Sequence, residues 1–160
     1  RLLFTRPISK LTIYSSKMVF LLEINFISFL IGYLAFLLSG FALDKLLPGY
    51  EFSSYNVNNL TAFYFSYLFI ALSAVSIMQY YLSLIFKSFV LPIGFAGFMT
   101  IFGVIAQNKD YIYLIPYGTV WRLNYGFYSG IIDFSRGEYV NIAYVLFFVV
   151  ISFFVFIRKK

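Results

Sequence analysis

Residues 60–108 read LTAFYFSYLFIALSAVSIMQYYLSLIF, then Lys87, then SFVLPIGFAGFMTIFGVIAQN. Lys87 is the single charge between Glu51 and Lys109. A water-soluble domain needs charge on its surface and cannot easily carry so long a neutral stretch. Two membrane-spanning helices joined by a tight turn, with a lysine at its tip, carry it naturally.

The composition agrees. The 160 residues are 62% hydrophobic, 24% aromatic and 11% charged, with a mean hydropathy of +0.88. Soluble domains run about 45–50% apolar and about 25% charged. The expected fold class is therefore all-α integral membrane. Cys and His are absent, which removes disulfides, thiol nucleophiles, imidazole chemistry and nearly all zinc or haem sites. No cofactor and no metal site is expected. The net charge of +6 comes from residues at the ends of apolar runs rather than from a clustered patch, so no nucleic-acid partner is expected.

Four runs approach or exceed the ~20 residues that cross a ~30 Å hydrocarbon core. They are 18–43, 60–86, 88–106 and 139–157. Asp44-Lys45 and Pro48-Gly49 close the first. Asn58-Asn59 offers an N-cap for the second, and Ser88 one for the third, with Pro92 in or near its first turn. Placing residues 1–17 in the cytoplasm puts Lys87 and Arg158-Lys159-Lys160 there too. Basic residues then divide eight inside (Arg1, Arg6, Lys10, Lys17, Lys87, Arg158, Lys159, Lys160) to four outside (Lys45, Lys109, Arg122, Arg136). Five of the six acids, all but Glu23, fall outside. The positive-inside rule thus favours both ends of the chain being cytoplasmic, in a multi-pass protein of the cell membrane, of the bacterial inner or plasma-membrane type.

Residues 107–138 form the expected external segment. Its stretch 111–132 is apolar enough to suggest a fifth crossing. However, Pro116, Gly118, Arg122, Asn124, Gly126 and Gly130 argue against one, and a fifth crossing would send the basic tail outside. The segment reads as interfacial or partly re-entrant, with Tyr111, Tyr113, Tyr117, Trp121, Tyr125 and Tyr128 suited to the headgroup layer; an ordinary external loop is the alternative. A secretory signal over 1–42, with Gly40-Phe41-Ala42 as a cleavage mimic, fits poorly because the apolar run exceeds 7–15 residues.

Helical spacing sorts the first run into faces. Asn25, Ser28, Gly32, Ala35, Ser39 and Ala42 follow steps of three and four and share one side. Small residues let helices approach closely in lipid. This stripe reads as a helix–helix seam, or else as the lining of a translocation path or a subunit interface. Ser66, Ser73 and Ser76 mark a similar face on the second run, beside Ala62, Tyr80 and Ser83. Gly94, Gly97, Thr100 and Gly103 mark one on the third. Glu23 lies about 8 Å along the axis from Met18. It reads as a membrane-edge ion-pair partner of Lys17 or Lys87, with a coupling site as the alternative.

Ahead of the first run stands Leu2-Leu3-Phe4-Thr5-Arg6-Pro7-Ile8-Ser9-Lys10, followed by Ile13-Tyr14 and Lys17. This resembles the link after the second transmembrane helix of ABC-2 type transporter permeases, with Lys10 where the family pattern has arginine. Arg6, Lys10 and Lys17 would hold the link at an anionic leaflet, and Pro7 would end the preceding helix. Residues 79–92 and 111–132 are more loosely similar to later parts of such permeases.

The resemblance implies the C-terminal portion of a six-helix permease, with four transmembrane helices here. Residues 1–17 would be the cytoplasmic link after a coupling helix and 18–160 the transmembrane domain. The start at Arg1 rather than Met fits that expectation. It further implies a dimer with a second or homologous permease copy and a separate ATP-binding-cassette subunit contacted by Arg1, Leu2, Leu3, Phe4, Thr5, Arg6 and Pro7. No G-x-x-x-x-G-K-[ST] loop occurs, so ATP hydrolysis would belong to that partner and the chain is not expected to be an enzyme. The expected function is exporter permease for an amphipathic substrate such as a peptide antibiotic, lipid or drug. A secondary transporter or channel is the alternative. A membrane enzyme using Asp110 and Asp133 is a more distant one.

Overall fold

The computed structural model describes residues 8–47, 49, 57–129 and 134–158, with side chains outside 57–60, 124–129 and 134–136. Five α-helices follow one another: α1 (Lys10–Leu46), α2 (Val57–Ile85), α3 (Val90–Ala106), α4 (Pro116–Ser129) and α5 (Phe134–Arg158). A 3-10 turn, Asp110–Leu114, precedes α4. No strand occurs among the described residues.

α1 starts because Ser9 adopts an extended backbone (φ −64°, ψ 145°) and its Oγ accepts a hydrogen bond from the Thr12 amide at 3.1 Å. That satisfies one of the first-turn donors. The helix therefore begins two turns before the apolar run at 18, and residues 10–17 are helical. With 37 residues, α1 is about 55 Å long. α2 begins at Val57, which places Asn58 and Asn59 inside its first turn instead of ahead of it. First-turn amides have no intrahelical partner, so polar residues are tolerated there.

α1, the Thr61–Ile85 part of α2, and the Gly137–Arg158 part of α5 are long and apolar enough to cross a membrane. α3, at 17 residues, spans about 25 Å and is shorter than the ~20 residues of a full crossing. The turn takes its lost residues: Ser88 Oγ accepts from the Val90 amide at 3.3 Å, and Pro92 is buried in the first turn of the helix. α5 starts five residues before the expected 139 and includes Arg136 and Glu138.

α2 is the central element, touching α1, α3, α4 and α5, and its broadest contact is with α5. Ring pairs fix the helix directions. Tyr14 lies by Tyr80 (6.2 Å) and Tyr33 by Phe65 (5.4 Å), so α1 and α2 are antiparallel. Tyr67 interacts with Glu138, and Tyr81 lies 5.2 Å from Phe148, so α2 and α5 run in the same direction. Two parallel neighbours need a connection that returns the chain from one end of the bundle to the other. Residues 86–133 make that return.

α3 and α4 also run in one direction. Gly103 abuts Tyr117, Gly118 and Trp121, while the Gln107 carbonyl accepts from Arg122 Nη1 at 3.3 Å. The chain between them must therefore fold back on itself, and the 3-10 turn does so. Ile112 is fully buried beneath Gly118, and the Leu114 carbonyl accepts from Tyr144 Oη at 2.9 Å. A Cβ on Gly118 would lie 3.0 Å from the Ile112 carbonyl oxygen and closer still to its side chain. Only glycine allows that approach. Pro116 opens α4, where its missing N–H costs nothing.

The bundle is tied at one end by a cluster around Tyr14, Met18 and Ile77, with Leu21, Tyr80, Val145, Phe148, Val149, Phe153 and Phe156 packed on it. Tyr14 Oη lies 2.7 Å from both the Val149 carbonyl and Ser152 Oγ. Further along, α1 meets α2 through rings: Phe29, Tyr33 and Phe36 stand 5.4–6.1 Å from Phe65.

Candidate functional site: a groove between α1, α2 and α3

α1 and α3 both lean on α2 and leave a groove of about 650 Å³ between them. Phe20, Leu21 and Ile24 form the α1 wall, and Phe89, Pro92 and Ile93 the α3 wall. The floor is polar. Ser76 Oγ donates to Asn25 Oδ1 at 3.2 Å, and Gln79 Nε2 donates to Tyr117 Oη on α4. Tyr80 and Ser83 continue the floor toward the end of α2, and Lys17 stands at that end. Asn25 Nδ2 and Tyr80 Oη are buried without a hydrogen-bond partner. A buried orphan donor costs about 1–3 kcal/mol, so two beneath one groove mark a place where polar company is missing.

The groove's electrostatics are one-sided. Among the described residues, Lys17 is its only charged one. The Lys17 ammonium lies 5.5 Å from the Phe156 ring centroid, a cation–π contact that leaves its N–H donors available. Lys87 is exposed in the turn two residues before Phe89, at the same end of the bundle. Lys10 and Arg158 are there too, since Lys10 Nζ donates to the Ile157 carbonyl at 2.8 Å.

Several residues singled out in the sequence meet here and others do not. Asn25, Ser76 and Lys17 line the groove. Gly32 sits against Phe65, where a Cβ would be 3.6 Å from the ring. Ser28, Ala35 and Ser39 are exposed, and Ser39 Oγ donates to the Phe36 carbonyl of its own helix at 2.8 Å. The face α1 turns to α2 carries Phe29, Tyr33 and Phe36 beside Asn25 and Gly32. Ser66 is exposed and bonds its own helix at the Ala62 carbonyl (2.8 Å), whereas Ser73 is buried with no partner for its Oγ. Among the described residues no ion pair joins Glu23 to Lys17 or Lys87. Glu23 is exposed, and its six-residue separation from Lys17 turns it about 240° around the helix. The proposed partner-contact residues Arg1, Leu2, Leu3, Phe4, Thr5, Arg6 and Pro7 lie outside the described residues.

No protein-family model, no curated protein and no solved structure matches this chain. The residue chemistry of the groove therefore carries the functional argument. Among the described residues no group of three or more His, Cys, Asp or Glu comes together.

The sequence did not single out Gln79, and it marked Tyr14 only as part of a basic link and Tyr117 only as a headgroup-layer aromatic. Tyr14 sat in a basic link, and only its depth in the bundle makes it a tether. The Gln79–Tyr117 pair joins residues 38 apart in sequence. A lone glutamine in an apolar run was the one available signal, because an amide at membrane depth needs a partner.

Proposed function

We propose that this chain is the membrane permease of an ABC-type exporter of the ABC-2 kind, moving an amphipathic substrate with energy from a separate ATP-binding subunit. The observation that carries this reading is the groove: apolar walls from α1 and α3, a polar floor from α2, and a cation at one end. The parallel α2 and α5 support four crossings. If both traverse the bilayer the same way, α3 must bring the chain back, and the folded-back 107–115 then reads as re-entrant, covered by α4 and α5 as backbone at membrane depth must be. The pairing of Lys10 with Ile157 supports both ends lying on one side, the cytoplasmic side by the charge balance. The basic segment over residues 1–10 supports the ABC-2 kind and the partner contact.

Purification of the protein from its native membrane tests this. An ATP-binding-cassette subunit should co-purify, its ATPase activity should require the permease, and removal of residues 1–7 should weaken the association. Absence of any such subunit from the complex overturns the reading.

A secondary transporter or channel has one observation behind it. Glu23 lies six residues beyond Lys17 on α1, about 9 Å along the axis, and so further in from the end of the bundle where the cations gather. Glu23→Gln abolishing transport while leaving partner ATPase activity intact would favour that reading.

A further inference from the structure

We infer that the groove between α1, α2 and α3 binds an anionic lipid of the adjacent leaflet, its headgroup at Lys17 and its acyl chain along Ile24 and Ile93. This rests on the groove being the substrate path proposed above and gives that path a substrate class.

The charge pattern favours an anion. Among the described residues, Lys17 is the groove's only ionisable residue apart from the Tyr80 phenol, and no carboxylate lines it. Lys10, Lys87 and Arg158 add positive charge at the same end of the bundle. The acids with described side chains are Glu23, Asp44, Asp110 and Glu138, and none lines the groove. Glu23 lies on α1 facing away from α2. Asp44 closes the far end of α1, and Asp110 and Glu138 belong to the 3-10 turn and the start of α5. A phosphate or carboxylate headgroup would meet uncompensated positive charge at Lys17 and no opposing carboxylate.

The shape favours a chain-bearing molecule over a free anion. The walls are Phe20, Leu21, Ile24, Phe89, Pro92 and Ile93, all apolar. Phe20, Ile24, Phe89 and Ile93 are exposed, so the groove opens sideways along the helices rather than closing as a chamber. A lipid can enter it from the bilayer without passing through water. Lys17 stands at the end where a headgroup would lie, since its ammonium reaches toward Phe156, in the last turns of α5. The orphaned donors Asn25 Nδ2 and Tyr80 Oη belong to residues that line the groove, and the ester carbonyls of a lipid are acceptors only.

Native mass spectrometry of the purified protein in detergent, with equal amounts of phosphatidylglycerol and phosphatidylcholine, tests this. One lysine near an anionic surface contributes enough for a roughly fivefold preference. We expect phosphatidylglycerol to be retained about fivefold over phosphatidylcholine, and Lys17→Gln to remove the preference. Ile93→Trp, an exposed α3 position that fills the groove, should reduce both lipids alike while circular dichroism stays unchanged. Equal retention of the two lipids by the unmodified protein overturns the inference. So does a preference that survives Lys17→Gln, or displacement of the lipid by millimolar inorganic phosphate alone. If ATP-driven transport proceeds with a bound ATPase but no lipid preference, the path stands and only the substrate class fails. If no ATPase co-purifies yet the preference and its loss are seen, the lipid site stands and the exporter reading fails.

Discussion

Lys10 Nζ donates to the Ile157 carbonyl at 2.8 Å, joining residues 147 apart. The first turn of α1 and the last turn of α5 therefore end level. The ammonium satisfies a terminal carbonyl and sits at the negative end of the α5 dipole. One turn further in, Tyr14 Oη reaches Val149 and Ser152. These contacts set the register of α1 against α5, and through it the depth of every other residue on α1.

Tyr14→Phe keeps the edge-to-face ring contact with Phe153, at 5.2 Å, and removes the hydroxyl. Ser152 Oγ retains its own bond to the Val149 carbonyl at 3.1 Å, so little is orphaned. The expected loss is about 1 kcal/mol, measured by denaturant titration in detergent. Tyr14→Leu should cost more, because three ring contacts go with the hydroxyl.

Gly118→Ala should destabilise by about 1–3 kcal/mol through overpacking against Ile112. Gly97→Ala is the control. Nothing lies within 4 Å of a Cβ at Gly97, and alanine gains about 0.5–1 kcal/mol of helix preference over glycine. Thermal unfolding of the two variants should move in opposite directions.

Phe65→Ala should free α1 from α2. The Phe65 ring touches those of Phe29, Tyr33 and Phe36, and its loss should cost about 2–4 kcal/mol, with partial exposure keeping the figure below a full core deletion. The chain has no cysteine, so a Tyr14→Cys/Tyr80→Cys pair and a Phe26→Cys/Phe69→Cys pair, whose rings lie 6.2 and 6.1 Å apart, can report the two regions separately. Cross-linking at the second pair should fall while the first changes little.

The same lack of cysteine allows a clean topology test. Single substitutions Lys10→Cys and Lys87→Cys should be labelled by an impermeant thiol reagent from one side of the membrane, and Lys45→Cys and Lys109→Cys from the other. Labelling of Lys87 and Lys109 from the same side would remove α3 as a crossing.

The neutral stretch around Lys87 was legible as two helices and a turn because hydrophobic length and a lone charge are local properties. Gly32 against Phe65 also follows the expected small-residue contact. Of the stripe on α1, Asn25 and Gly32 meet α2, while Ser28, Ala35 and Ser39 are exposed. Small residues at 28, 35 and 39 allow close approach, but Phe29, Tyr33 and Phe36, on the neighbouring face, found rings on α2. Aromatic side chains bring large contact areas to that side of the helix. The helical fold-back at 107–129 was only half legible. Its glycines, Pro116 and aromatic run marked an irregular segment, and nothing local predicted that Ile112 would be buried under Gly118.

By itself the sequence determined that the chain is helical, where its apolar helices lie within a few residues, and which ends carry positive charge. These depend on backbone hydrogen bonding, side-chain transfer and charge, all of which act over a turn or two. The tertiary structure alone decided that α2 and α5 run parallel, that 86–133 returns the chain between them, and that α1 and α3 stand apart over a polar floor. Those outcomes arise from contacts between residues tens to more than a hundred positions apart, such as Lys10 with Ile157 and Gln79 with Tyr117, whose partners no local pattern specifies.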